Sequence, residues 1–595
     1  MNSVKKIIWM VLLAVVSFTA VEAQHKAKKK KAQVTNNKKP VSGKKGIVKK
    51  ERGKVRTNYG GASRRIKAES VITQGDSTSP RTVTVTSSFK PSLRNAAKIN
   101  FTAATPVIDT TKIPLTYNLP SQNLFFVYQP VTIKPISLPM DTSFHWENNK
   151  YIKAGFGNYL TPYLETGLAF GDGKKASINL NGIYTSSKGN RPLQQFSKVD
   201  INGLGVFNST DHEFISKLYY KNSLQYKYGY TADTTFTKQQ LEQQFNSLGF
   251  DFGLTNKQTN DLGISYHPQI KINYFFDNRN ASEYNFLIKA PVTKTIGKVV
   301  AFNLALTADI TGLNEPSLTS LIHNDLYSIR TSFLFNTPNF RLNAGIEPSW
   351  DNHAFAVLPN ITVEAKINEE KFVLMAGWIG YYNKNTYQSL SSINPYMDQP
   401  NALLNTKITE QYAGFKGSGS SHLTYNAKLS FLKINQQPLF VNDTARLNTQ
   451  TFHVLYEPEL QAVRIHAEVG YTVQEKLTIA AGANITQYTS QQQYDKPWGL
   501  LPAEITGTLR YRFSKDLIFK SDVFAWNRTY YRDKAFHSAQ TSAVADLNAG
   551  IEFSVLPRLN LWVQFNNLLN NKYQRWNQYE VLGFNVLGGV VYSFQ

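Results

Sequence analysis

The chain ends GFNVLGGVVYSFQ (583–595). With the period of two that throws successive side chains to opposite faces of a strand, Phe584, Val586, Gly588, Val590, Tyr592 and Phe594 share one face. Asn585, Leu587, Gly589, Val591, Ser593 and Gln595 share the other. One face is almost wholly apolar and aromatic. In water such a strand is a template for aggregation, whereas against hydrocarbon its apolar face is stable.

The same alternation recurs upstream from about residue 150. In DLNAGIEFSV, Leu547, Ala549, Ile551, Phe553 and Val555 oppose Asp546, Asn548, Gly550, Glu552 and Ser554. In EITGTLRYRF, Ile505, Leu509, Tyr511 and Phe513 oppose Glu504, Thr506, Thr508, Arg510 and Arg512. In AFNLALTADIT, Phe302, Leu304, Leu306, Ala308 and Ile310 oppose Asn303, Thr307, Asp309 and Thr311. The charges keep to one face, as they must if the other meets lipid, where a mid-bilayer Lys or Arg costs about 2–4 kcal/mol. After the first residues no run approaches the roughly 20 apolar residues of a membrane helix. The remaining way to satisfy every backbone group in lipid is a closed barrel, and the 13% aromatic content suits its interfacial girdles.

Connection lengths test this independently, since such barrels alternate short turns on one side with longer loops on the other. Back from the C-terminus come a long loop near 569–582, a short turn at Leu556-Pro557 and a long loop near 528–540. A short turn at Ser514-Lys515, a long loop near 490–500 and a short turn at Gln474-Glu475 follow. The pattern is lost around Glu457-Pro458. It returns in short turns at 336–339 and 368–370 and long loops near 312–324 and 384–405. The expected fold is an all-β transmembrane antiparallel barrel of about 22 strands, within a range of 16–24, over residues 150–595. A soluble propeller is the rival, but no internal repeat of fixed period exists.

Residues 1–23 pair Lys5 and Lys6 with a short apolar run and a small-residue exit, which reads as a secretory signal. The formal charge of +24 is concentrated in a Lys/Arg-rich arm, 24–69, whose composition predicts disorder. Residues 70–149 are punctuated by prolines 80, 91, 106, 114, 120, 130, 135 and 139, and read as extended chain. With no cysteine there is neither a disulfide framework nor a thiolate metal site. The ten histidines are scattered, and the glycines of FKGSGSS (415–421) lack the Lys and helix of a phosphate cradle. No enzyme, metal site or cofactor is expected.

The stretch 565–595 resembles the closing hairpin of TonB-dependent outer-membrane receptors: Asn567-Leu568-Leu569-Asn570-Asn571-Lys572-Tyr573 is similar to their Asn-Leu-Phe-(Asn/Asp)-x-x-Tyr motif. KAGFGNYLTPY (153–163) is similar to the first barrel strand of a plugless branch of these receptor-like proteins. The resemblance implies a Gram-negative outer-membrane barrel that takes up or passes a ligand bound by external loops. It implies Tyr592 and Phe594 as the signal read by the barrel-assembly machinery, with Gln595 a departure after the terminal aromatic. It also implies an energy-coupling box for a TonB-type protein, for which Thr82, Val83, Thr84, Val85 and Thr86 are the candidates beside the reading as ordinary linker. Some 80 residues are few for a folded plug, so inward-folded loops, a partner or a flatter barrel would have to close the pore.

Turn parity puts the C-terminus and the arm in the periplasm, where no nucleic acid awaits the basic residues. Lys28, Lys29, Lys30, Lys31, Lys44, Lys45, Lys49 and Lys50 would instead meet peptidoglycan carboxylates, anionic lipid or acidic partner proteins, or remain solvated. Two functions stay open. One is a receptor whose loops 384–405 and 490–500, rich in Tyr, Gln and Asn, recognise a sugar or peptide; the other is a non-transporting structural or assembly subunit anchored by its arm.

Overall fold

The computed structural model describes residues 150–229, 236–419, 421–442, 451–533 and 537–594. The signal, the basic arm, the coupling-box candidates Thr82 to Thr86 and the Pro-rich segment lie outside the described residues. From Lys150 onward the chain is a sheet that closes on itself. The first strand, Lys150–Gly157, pairs antiparallel with Thr161–Gly171 on one side and with the last strand, Asn585–Phe594, on the other. Of the 23 strands in the sheet, Ile264–Tyr266 and Gln269–Asp277 are one strand broken at His267-Pro268, where proline has no N–H for the ladder. The barrel therefore has 22 strands, the number expected from the alternating runs.

Closure depends on glycine at the seam. Gly155 faces Gly589 across the two terminal strands. A Cβ on Gly589 would stand 1.9 Å from the Ala154 carbonyl oxygen, and one on Gly155 would stand 2.3 Å from the Trp562 ring. The strands meet there because neither residue has a side chain.

The faces fall as the alternation requires. Along Val544–Leu556, Ile551 and Phe553 are 43% and 47% exposed on the outside, while Asp546 and Glu552 are 1% and 7% exposed on the inside. The closing strand repeats this, with Val590 and Tyr592 outward and Asn585, Leu587 and Val591 buried. Inside the wall the charges pair: Lys416 Nζ lies 2.7 Å from Glu364 Oε1, Lys428 Nζ 2.7 Å from Glu410 Oε1 and Arg330 Nε 2.5 Å from Glu347 Oε2. An outer belt of Ile, Leu, Val, Phe and Tyr around a polar inner wall is a surface for hydrocarbon, and the chain is a membrane-spanning barrel.

The start of the first strand, Lys150, and the end of the last, Phe594, sit on one rim, with the short turns 474–476, 513–516 and 557–558. The opposite rim carries the long connections 384–405, 436–459, 492–502, 527–543 and 567–584. Three connections on this loop rim are nevertheless short, at 158–160, 278–281 and 352–353; Tyr159, Leu160 and Asn352 there take positive φ. The pattern fails around Glu457-Pro458 because 436–459 holds a hairpin of its own, Gln437–Asn442 with Phe452–Glu457.

Candidate functional site

The long loops do not simply stand in solvent. Residues 384–405, expected from their Tyr, Gln and Asn content to face an external ligand, fold into the loop-side mouth, where Tyr387, Leu390, Tyr396 and Met397 are almost fully buried. The inward-folded loop is one of the three means of closure open in the sequence.

A short helix, Tyr387–Ile393, leads the loop inward. Its first N–H groups would be orphans, and each finds an acceptor. Thr386 Oγ1 accepts from Ser389 N–H at 3.0 Å, and Ser389 Oγ accepts from Thr386 N–H at 2.8 Å, a reciprocal capping box. The Tyr387 and Gln388 N–H groups donate to the two carboxylate oxygens of Glu283, a buried residue of the barrel wall. A wall carboxylate thus caps a loop helix at its positive end.

Side chains fix the rest of the loop to the wall. Tyr387 Oη donates to Asp277 Oδ2 at 2.8 Å, which also accepts from Gln399 Nε2 at 2.9 Å. Gln388 Nε2 donates to Ser247 Oγ at 2.8 Å, and Gln225 Nε2 donates to the Pro395 carbonyl at 2.8 Å. Asn405 Nδ2 donates to Asn324 Oδ1 and Asp351 Oδ1 at 2.6 and 2.7 Å. Asp398 draws in two cations, Lys227 Nζ at 2.6 Å and Arg279 Nη1 at 3.1 Å, and the Lys227 side chain is only 1% exposed.

Above these polar contacts lies an aromatic layer from four connections. Tyr396 stacks on Tyr579 with ring centroids 3.5 Å apart, Tyr228 meets both edge-on, and Phe440 and Phe452 pack edge-to-face against Trp576. Arg575 lies 4.3 Å above the Trp576 ring and donates from Nη2 to the Gly499 carbonyl at 2.7 Å. Burial pushes the Tyr387, Tyr396 and Tyr579 phenols well above their ordinary range and Tyr228 up to about 12. Burial also lowers the Arg575 guanidinium to about 10. Burial lowers Lys384, against the opposing pull of Asp309, Asp325, Asp351 and Glu283.

Of the residues singled out in the sequence, Tyr592 and Phe594 are placed in the closing strand, stacked with centroids 6.1 Å apart. The second recognition-loop candidate, 490–500, contributes Trp498 to a buried apolar cluster with Leu439 and Val441, so it too is partly tied down. Sequence reading missed Glu283, Asp277, Asp398, Lys227 and Arg279, which hold the cap. A usable signal was Thr386-x-x-Ser389 ahead of a short apolar-spaced run, a cap written in the loop itself. Among the described residues no group of three His, Asp or Glu is placed to hold a metal ion.

No protein-family model and no curated protein matches the sequence. Solved structures do match the barrel. The FrpB iron transporter from Neisseria meningitidis superposes with a TM-score of 0.58 at 10% identity, over 76% of this chain and 82% of that one. This chain shares the barrel fold of that structure. The siderophore receptor PirA from Pseudomonas aeruginosa superposes on the barrel with a TM-score of 0.53 at 9% identity, covering 75% of this chain and 80% of its own. The ferric enterobactin receptor PfeA superposes with a TM-score of 0.56 at 11% identity, over 75% and 81%. At these identities the likeness concerns the barrel fold, and the cap is described from this chain's own residues.

Proposed function

We propose that the chain is an outer-membrane receptor that admits a ligand through a barrel gated at its loop-side mouth by residues 384–405. The observation that carries this is the way the cap is held. The loop is held through hydrogen bonds and ion pairs, Asp398 with Lys227 and Arg279 and Lys384 with Asp309, which can exchange for contacts to a ligand. The fold shared with an iron transporter and two siderophore receptors supports uptake as the general task. In this reading the turn rim, where the first strand begins and the last one ends, faces the periplasm, and the Thr82 to Thr86 stretch adds as a strand to a TonB-type coupling protein. The loop cap, rather than a folded N-terminal plug, closes the pore. The experiment is liposome swelling with the full chain and with a variant whose residues 386–402 are replaced by a short Gly/Ser linker. The linker variant should admit small sugars that the parent excludes; equal, low permeability of both would remove the gate.

A second reading is favoured by the density of the cap, whose aromatic layer is packed like the interior of a domain. It makes the protein a non-transporting subunit of an envelope assembly, held to peptidoglycan or a periplasmic partner by Lys28 to Lys31, Lys44, Lys45, Lys49 and Lys50. A stoichiometric partner co-purifying from native membranes, lost when residues 24–67 are removed, together with an impermeable linker variant, would establish it.

A further inference from the structure

On the outer wall, away from the cap, strands Ala354–Asn368, Phe372–Asn383, Thr406–Ser418 and Leu423–Asn435 lie side by side. Register fixes what they present. Trp378 stands opposite Gln411, which stands opposite Phe431; one step toward the turn rim, Ala376 stands opposite Ala413, and Ala413 opposite Leu429. Two large rings therefore flank Gln411, and one step below them lie two residues with almost no side chain. With Ile361 and Val363 the dip becomes a groove of about 380 Å³. At ~30 Å³ for a water-sized group it takes about a dozen such groups, a stretch of acyl chain.

The groove is graded along the barrel axis. Gln411 is exposed on the outward face, and its side-chain amide makes no hydrogen bond among the described residues. Nearer the loop rim on the same face come Thr409 opposite Lys433, then Lys407 opposite Asn435. Lys433 Nζ holds Glu459 Oε2 at 2.9 Å with its side chain still 54% exposed. Carbon, then an amide, then ammonium groups is the order in which a membrane lipid presents acyl chain, linkage carbonyl and phosphate.

We propose that this groove binds an acyl lipid of the leaflet on the loop side whose phosphate headgroup is net anionic, with no cation of its own beside the phosphate. Its chain lies between Trp378 and Phe431, its linkage carbonyl accepts from the Gln411 amide, and its phosphate sits by Lys407 and Lys433, taking the place of Glu459 on the latter. The groove is continuous with the apolar belt, so its occupant is drawn from the bilayer that covers that belt. The site rests on the reading of the chain as a membrane barrel.

The test is native mass spectrometry of the full chain in mild detergent, titrated with dimyristoylphosphatidylglycerol or dimyristoylphosphatidylcholine. The anionic lipid should be retained as one molecule per chain in preference to the zwitterionic one. Each basic side chain near an anionic leaflet contributes about 1 kcal/mol, roughly fivefold in affinity. Replacing both by Lys407→Ser and Lys433→Ser should therefore weaken phosphatidylglycerol by roughly 25-fold and hardly move phosphatidylcholine. Ala413→Trp should abolish retention of both, and Ala376→Leu supplies a second, milder filling of the groove should the Trp variant not fold. Equal retention of the two lipids by the parent, or undiminished retention by the filled variants, overturns the proposal. Heat-modifiable migration on gels reports the folded barrel separately. A parent that neither shows it nor enters vesicles has failed as a membrane barrel, whereas one that does both without retaining lipid has lost only this site.

Discussion

Glu283→Gln removes the carboxyl group that caps the loop helix while changing the wall very little. In the parent, both carboxylate oxygens accept from helix N–H groups, those of Tyr387 and Gln388, at a residue only 1% exposed. A hydrogen bond contributes about 0.5–1.5 kcal/mol net, and a buried donor left unmatched costs about 1–3 kcal/mol. The amide keeps one acceptor oxygen and turns an NH2 group toward the other N–H, so one bond is lost and two donors face each other. A cost of about 3 kcal/mol follows, close to two powers of ten in the opening equilibrium of the cap. Amide hydrogen exchange of the protein in nanodiscs reads this directly, because local opening sets the exchange rate. The amides of Tyr387, Gln388, Ser389 and Leu390 should exchange about a hundredfold faster, while Val300–Asn314 in the wall keeps its protection. A change in the helix below about threefold, under ~0.7 kcal/mol, would refute the role given to Glu283.

Other consequences are open to test. Ile551→Lys puts an ammonium group on the outer face and should destabilise the barrel by about 2–4 kcal/mol in a denaturant titration from vesicles; an unchanged midpoint would deny that this face meets lipid. The cap tyrosines Tyr387, Tyr396 and Tyr579 bind their protons more tightly folded than unfolded. Their contribution is complete below the ordinary phenol value of about 10 and is lost as pH rises through the higher folded values. Proteolysis within 384–405 should accordingly be slow at neutral pH and accelerate above about pH 10, and a flat profile would contradict the buried tyrosine layer. Replacing Tyr592 and Phe594 together by Ala should slow the appearance of heat-modifiable barrel in a pulse-chase, and unchanged kinetics would take the assembly signal away from these two residues.

The barrel was legible because its constraint repeats in every strand. Asp546, Asn548 and Glu552 alternate with Leu547, Ala549 and Ile551 whatever their neighbours do, and a one-residue slip would turn the whole set into lipid. Turns such as Leu556-Pro557 and Ser514-Lys515 were legible for the same local reason. The cap was not, because its partners are far apart in sequence. Lys227 and Arg279 meet Asp398 across more than a hundred residues, and nothing near any of the three announces the others. Tyr387 and Tyr396 read as exposed recognition residues because aromatic loop residues suit both binding and packing. Only the enclosing wall, with Asp277 and Glu283 turned inward, decides for packing. The hairpin at 437–457 hid in the same way, as strands that pair with each other and not with the wall.

The lipid-facing belt is tested most directly by single-cysteine scanning along Val544–Leu556, which the absence of native cysteine makes clean. Nitroxide labels at Leu547, Ala549, Ile551 and Phe553 should collide with oxygen dissolved in the hydrocarbon. Labels at Asp546, Asn548, Gly550 and Glu552 should be sheltered from it. Accessibility alternating with every residue is the predicted result; one uniform profile along the strand, or labels at Ile551 and Phe553 reached only by a water-soluble relaxant, would contradict it.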